Sequence, residues 1–181
     1  MDKTIIDVLY EENQKIDRFL EEHGEISLRK NVDNNFRKAL LLSIASYFEH
    51  EIREIILRVV KAQTNNAKPV VDFIKNKAIE RQYHTYFDWN SQNANKFFSL
   101  FGSGFKQFMQ KELNSDEQLA LSISSFLELG RIRNQLVHQN FAIFPLDKTV
   151  NEIYQLYNNA LVFIEVFPVK LQEYIIKFNK E

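Results

Sequence analysis

The chain has 181 residues, 45% of them hydrophobic and 26% charged, a balance that suits one soluble globular domain spanning 1–181. No cysteine is present, which excludes disulfides and thiolate chemistry, and a formal net charge of −1 excludes a global field that draws the chain to nucleic acid. Four Gly and three Pro are too few punctuators for a turn-rich all-β chain.

The opening segment MDKTIIDVLYEENQK is acidic and amphipathic, unlike a signal peptide. No stretch approaches the roughly 18–20 consecutive apolar residues that a membrane span needs. A soluble, cytoplasmic protein without a membrane partner is expected. Ile5, Ile6, Leu9, Ile16, Phe19 and Leu20 fall at helical spacing and predict a first helix over about residues 2–22, ending near Gly24. Asp33 is placed to cap a second helix running to about Ala62, with Phe36, Leu40, Ile44, Phe48, Ile52, Ile55, Ile56 and Val59 in one stripe. Pro69 suits the first turn of a third helix through Val70, Val71, Ile74 and Ala78.

The segment YHTYFDWNSQNANK mixes aromatics with turn formers and reads as a loop. KFFSLFG and FKQFMQKEL read as two short helices punctuated by Gly102 and Gly104, their phenylalanines in the core. SDEQ, Ser115 to Gln118, has capping-box spacing and opens a helix through Leu119, Ile123, Phe126 and Leu127 towards His138. After Pro145, a last long helix begins at about Lys148 and meets Pro168, which is expected to kink or restart it. No repeat, linker or two-residue alternation interrupts this pattern, so the fold class is an all-α helical bundle of about five to seven helices.

One stretch resists a packing explanation. GRIRNQLVHQNF, residues 130–141, sets Arg131, Arg133, Asn134 and His138 among Ile132, Leu136, Val137 and Phe141. Polar groups on such a helix cost desolvation unless a cleft or partners receive them. Arginine can hold a phosphodiester in its fork, and histidine can move protons at neutral pH. The plain alternative is a satisfied polar network at a helix end. At 100° per residue, Asn134 and His138 share a face, whereas Arg133 lies about 140° from His138. Aiming both at one phosphate therefore takes either a distorted helix end or a second copy across a twofold axis. A second Arg-x4-His match, Arg18 to His23, sits among Glu21, Glu22 and Glu25 and reads as a helix terminus.

No HExxH pattern, paired-acid metal pattern, P-loop or GxGxxG is present, so neither a metal site nor a cofactor is expected. Glu49 and Arg53 have the spacing of an ordinary i,i+4 ion pair, and His50 reads as surface. Residues 61–114 form a mild basic island, eight basic side chains against four acidic, which reads as a solvated face. Within it, Lys75, Lys77 and Arg81 adjoin the aromatic run Tyr83, His84, Tyr86, Phe87 and Trp89. That run either packs in the core or a dimer, or stacks unpaired bases over a basic groove.

RNQLVH, Arg133 to His138, resembles the R-x4-6-H signature, commonly written with Asn after the Arg, of the HEPN superfamily (the higher eukaryotes and prokaryotes nucleotide-binding domain). SIASYFEHEIREII on the second helix resembles that superfamily's Ser/aromatic/Glu pattern, best in its RiboL-PSP-HEPN branch. The resemblance implies a helical domain that dimerises, bringing two signatures into one composite cleft. It implies a metal-independent endoribonuclease of the kind found among toxins and antiviral effectors, which cut tRNA or other RNA. Carried over by motif, Arg133 and His138 are the catalytic pair, with Asn134 and Glu49 in support. Arg131, Lys75, Lys77 and Arg81 are candidate RNA contacts, and an antitoxin or other regulatory protein is a candidate partner. The rival reading is a non-catalytic HEPN-like scaffold that binds a partner protein or a nucleotide.

Overall fold

The computed structural model describes residues 3–178. Helix α1 spans Ile5–Glu22. The expected start at about residue 2 lies outside the described residues, and the observed start is set by Thr4. Its hydroxyl accepts from the Asp7 amide while the Asp7 carboxylate accepts from the Thr4 amide at 2.7 Å, a reciprocal cap. Gly24, at φ +68°, supplies the left-handed turn that ends the helix.

Helix α2 runs Ile26–Gln63, 38 residues, about 57 Å at 1.5 Å per residue. It starts a full two turns before Asp33, which is therefore not its cap. Asp33 lies within the helix, 3.0 Å from the Arg37 guanidinium. The early start is held instead by Arg29, which bridges to Asp17 and Glu21 on α1. Leu40, Leu41, Ile44, Phe48, Ile52 and Ile55 form its buried stripe.

Helix α3, Lys68–Ile74, carries Pro69 in its first turn and passes into a π-helical turn at Lys75–Ile79. Val71 and Ile79 pack on Leu57 of α2 as a small satellite of the core. Helix α4, Tyr83–Tyr86, is a single turn inside the segment expected to be a loop. Helices α5, Asn95–Ser99, and α6, Ser103–Ser115, flank Gly102, whose φ of +98° only glycine adopts readily.

Helix α7 spans Glu117–His138 and α8 spans Val150–Phe178. The cap of α7 is Asp116, whose carboxylate accepts from the Leu119 amide at 2.9 Å. Ser115 belongs to the end of α6. Helix α8 continues through Pro168 instead of restarting there.

Helices α7 and α8 form the most extensive helix pair, and α2 packs across both. Phe48, Phe97, Phe98, Phe105, Phe126, Phe163 and Phe167 are almost wholly buried between them, each contributing on the order of 1.5–3 kcal/mol by burial. The described residues contain eight α-helices and no strand, and none of those helices is long and apolar enough to cross a membrane. The all-α reading holds. The helix count exceeds the expected range because the aromatic run contributes a turn of its own.

Candidate functional site

Helix α7 remains regular to His138, so the distorted-end alternative is excluded. Ile132 and Leu136 face the core, which turns Arg133 and Asn134 to the half-buried flank and His138 to the exposed end. Arg133 Nη1 donates to the side-chain oxygen of Asn134 at 3.0 Å.

Two adjoining recesses divide the signature. The first, about 180 Å³, is lined by Glu49, Arg81, His84, Arg133 and Asn134, with aromatic walls from Phe48, Tyr83, Trp89 and Phe126. The second, about 470 Å³, is lined by Arg131, Asn134, His138 and Lys96, with Trp89 again in its wall. Asn134 and Trp89 belong to both. Arg133 and His138 therefore open into different recesses of one chain, as the 140° offset requires.

Trp89 forms the partition because of a glycine. A Cβ added at Gly130 on α7 would meet the indole at 2.0 Å, so only glycine lets that ring approach the helix so closely. The ring is fixed by its Nε1, which donates to the His84 carbonyl at 3.2 Å, and by Phe87, whose centroid lies 5.0 Å away. Tyr83 packs beside it at 5.7 Å. Burial pushes the Tyr83 phenol upward, Glu49 adds to the rise and Arg133 opposes it, so both charges act on the same wall of the recess.

Glu49 does not pair with Arg53. The Arg53 guanidinium reaches instead to Glu80, beyond the π-helical turn, at 2.6 Å. Among the described residues Glu49 has neither an ion pair nor a hydrogen bond, although it is half-buried. His50 is exposed, as expected. At the competing Arg-x4-His match, His23 Nδ1 donates to the Phe19 carbonyl at 2.8 Å and closes α1, a terminal role.

The candidate RNA contacts separate. Arg81 lines the first recess, in a left-handed backbone conformation with φ +59°. Arg131 lines the second. Lys75 and Lys77 project from the exposed π-helical turn, outside both. Among the described residues, no three His, Asp or Glu side chains gather as a cation site.

Three features escaped the sequence reading. Lys96 lies in the second recess, and nothing in KFFSLFG marked it out. Gly130 carried a usable signal, since a glycine inside a helix costs about 1 kcal/mol and asks for a packing reason. Lys38 on α2 is only 1% exposed. Its Nζ donates to the Phe141 carbonyl at 2.7 Å and sits 5.3 Å from the centre of the Phe141 ring. With Arg37, which donates to the Leu146 carbonyl at 2.8 Å, it holds the segment that follows His138. Its place at one helical turn from Leu41 and Leu42 was the available clue.

The chain matches the RiboL-PSP-HEPN family model over residues 7–173, nearly the full described length, and it belongs to that family. No curated protein and no solved structure matches it.

Proposed function

We propose that this RiboL-PSP-HEPN protein is a metal-independent endoribonuclease, a cytoplasmic toxin or antiviral effector that cuts RNA such as tRNA and acts as a homodimer. The observation that carries the reading is the placement of Arg133 and His138 in adjoining open recesses, on either side of Asn134. Family membership supplies the context. A single chain holds the two groups apart. A twofold copy that lays its His138 beside this chain's Arg133 completes one phosphate site.

In that site one His138 imidazole takes the proton of a ribose 2′-hydroxyl, whose oxygen attacks phosphorus. The P–O5′ bond breaks, and the imidazolium so formed gives that proton to the leaving oxygen. The products are a 2′,3′-cyclic phosphate and a 5′-hydroxyl. Arg133 neutralises the charge that grows on the phosphorane, and Asn134, already bonded to it, fixes its aim. Glu49 lines the first recess with Arg133 and is the supporting carboxylate of the site. Arg131 and Arg81 flank the path of the strand, and Lys75 and Lys77 extend it. One single-domain unit over residues 1–181 carries all of this, with an antitoxin or other regulatory protein as the natural brake.

The test is incubation of purified protein with total RNA in EDTA, followed by end-group analysis. Wild type is expected to leave 2′,3′-cyclic phosphate ends. His138→Ala is expected to lose about 10²–10⁴ of the rate and Arg133→Ala about 10²–10³. RNA left intact by all three, and equal behaviour on expression, would assign the chain to the rival scaffold class. The separation of the two groups within one chain favours that class if no dimer forms.

A further inference from the structure

The first recess contains an unanswered charge. Glu49 is half-buried and lines the cavity, yet neither Arg133 nor any other described group pairs with it. Its carboxylate accepts from no described donor, so a donor that enters the cavity finds an open acceptor there. The walls around it are aromatic, with Trp89, Tyr83 and Phe126 within 6.0 Å of one another in ring-to-ring steps. At about 180 Å³ the recess is smaller than the roughly 300–1,000 Å³ that encloses a drug-sized ligand. It takes one flat heterocycle and leaves a sugar and phosphate outside, beside Arg133.

We infer that this cavity is a base-reading pocket for guanine, in which Glu49 accepts from the base and the aromatic wall lies against it. The inference rests on the ribonuclease reading for its biological sense, but not for its chemistry. A carboxylate offers two parallel acceptors. Guanine presents two adjacent donors, N1–H and the N2 amino group, on its Watson–Crick edge. Adenine and cytosine each set a ring acceptor beside their single amino donor, and uracil has one donor between two acceptors. A carboxylate therefore meets guanine twice and repels part of every other base. Unpaired bases are read in this way, by stacking on aromatic rings and bonding along the Watson–Crick edge. Because Arg133 lines the same cavity, a guanosine seated here keeps its phosphate beside that guanidinium. The pocket then selects which linkage is cut.

Trp89 is the single tryptophan of the chain and reports occupancy by its own fluorescence. Wild-type protein is titrated with the 5′-monophosphates of guanosine, adenosine, cytidine and uridine, none of which is a cleavable linkage. The expected result is quenching by the guanosine nucleotide with an affinity about tenfold or more above the other three. Glu49→Gln is expected to erase that preference while the weak binding of the others persists, and His138→Ala is expected to retain it. Quenching by none of the four at millimolar concentration, a preference below about tenfold, or an unchanged preference in Glu49→Gln each overturns the inference. Because no RNA is cut in this experiment, guanine binding stands even if the nuclease reading fails. Cleavage without guanine preference would remove this inference alone.

Discussion

Gly130 and Trp89 meet so closely that one added carbon on the glycine would lie 2.0 Å from the indole. The partition between the two recesses thus depends on the absence of a side chain. Gly130→Ala gains helix propensity on α7 but must displace the ring, and overpacking of this kind costs about 1–3 kcal/mol. A lower melting temperature with a red-shifted, more quenchable tryptophan emission is expected. An unchanged emission spectrum and a raised melting temperature would show that the ring moves freely.

Lys38 is the second lever, acting from the far side of the helix end. Its ammonium satisfies the Phe141 carbonyl directly after the signature. Lys38→Met keeps the aliphatic stem and leaves that carbonyl unpaired, a loss of about 1–3 kcal/mol. Hydrogen exchange should quicken across residues 139–146 before it quickens in α7. Exchange rates there equal to those of wild type would mean that Arg37 alone suffices to hold the segment.

The acid stability of the fold reports on the other end of the molecule. Burial raises the Asp7 carboxyl, but hydrogen bonds from Thr4 and Tyr154 outweigh it and hold the group below the usual carboxylate range. A carboxylate depressed in the folded state contributes stability that is complete above its unfolded value of 3.8. That stability is lost as pH falls further through the folded value. Asp7→Asn is expected to cost about 1 kcal/mol at pH 7, in the range of a lost cap, with the deficit shrinking below pH 3.8. Denaturant titrations at both pH values measure it, and a deficit that is constant or larger in acid would contradict this assignment.

Arg81 combines a left-handed backbone with a place on the first recess. A non-glycine residue there carries on the order of 1–2 kcal/mol of strain. Arg81→Gly should therefore leave the melting temperature unchanged or higher, while RNA cleavage weakens several-fold through the lost guanidinium. Parallel loss of stability and cleavage would mean that the side chain serves the fold and not the RNA.

Much of this architecture was legible because helix periodicity survives in the sequence wherever one face is buried. The stripe from Leu40 to Ile55 gave α2, and helical arithmetic alone placed Arg133 and His138 on different faces. The start of α2 was not legible, because Glu25 makes no side-chain cap and the first two turns are held by Arg29 through α1. The Glu49–Arg53 pair failed for a similar reason. Spacing cannot see that Glu80, 27 residues away, is brought within 2.6 Å of Arg53. The aromatic run hid its role because burial of Tyr86 and Phe87 and wall duty for Tyr83 and Trp89 look alike as composition.

The most direct measurement is subunit complementation. Arg133→Ala and His138→Ala proteins, each inactive alone, are mixed under conditions that exchange subunits, and RNA cleavage in EDTA is followed. If the scissile phosphate is shared between one copy's guanidinium and the other's imidazole, activity returns in proportion to the heterodimer formed. A mixture that is shown to contain heterodimer and still leaves RNA whole would contradict it.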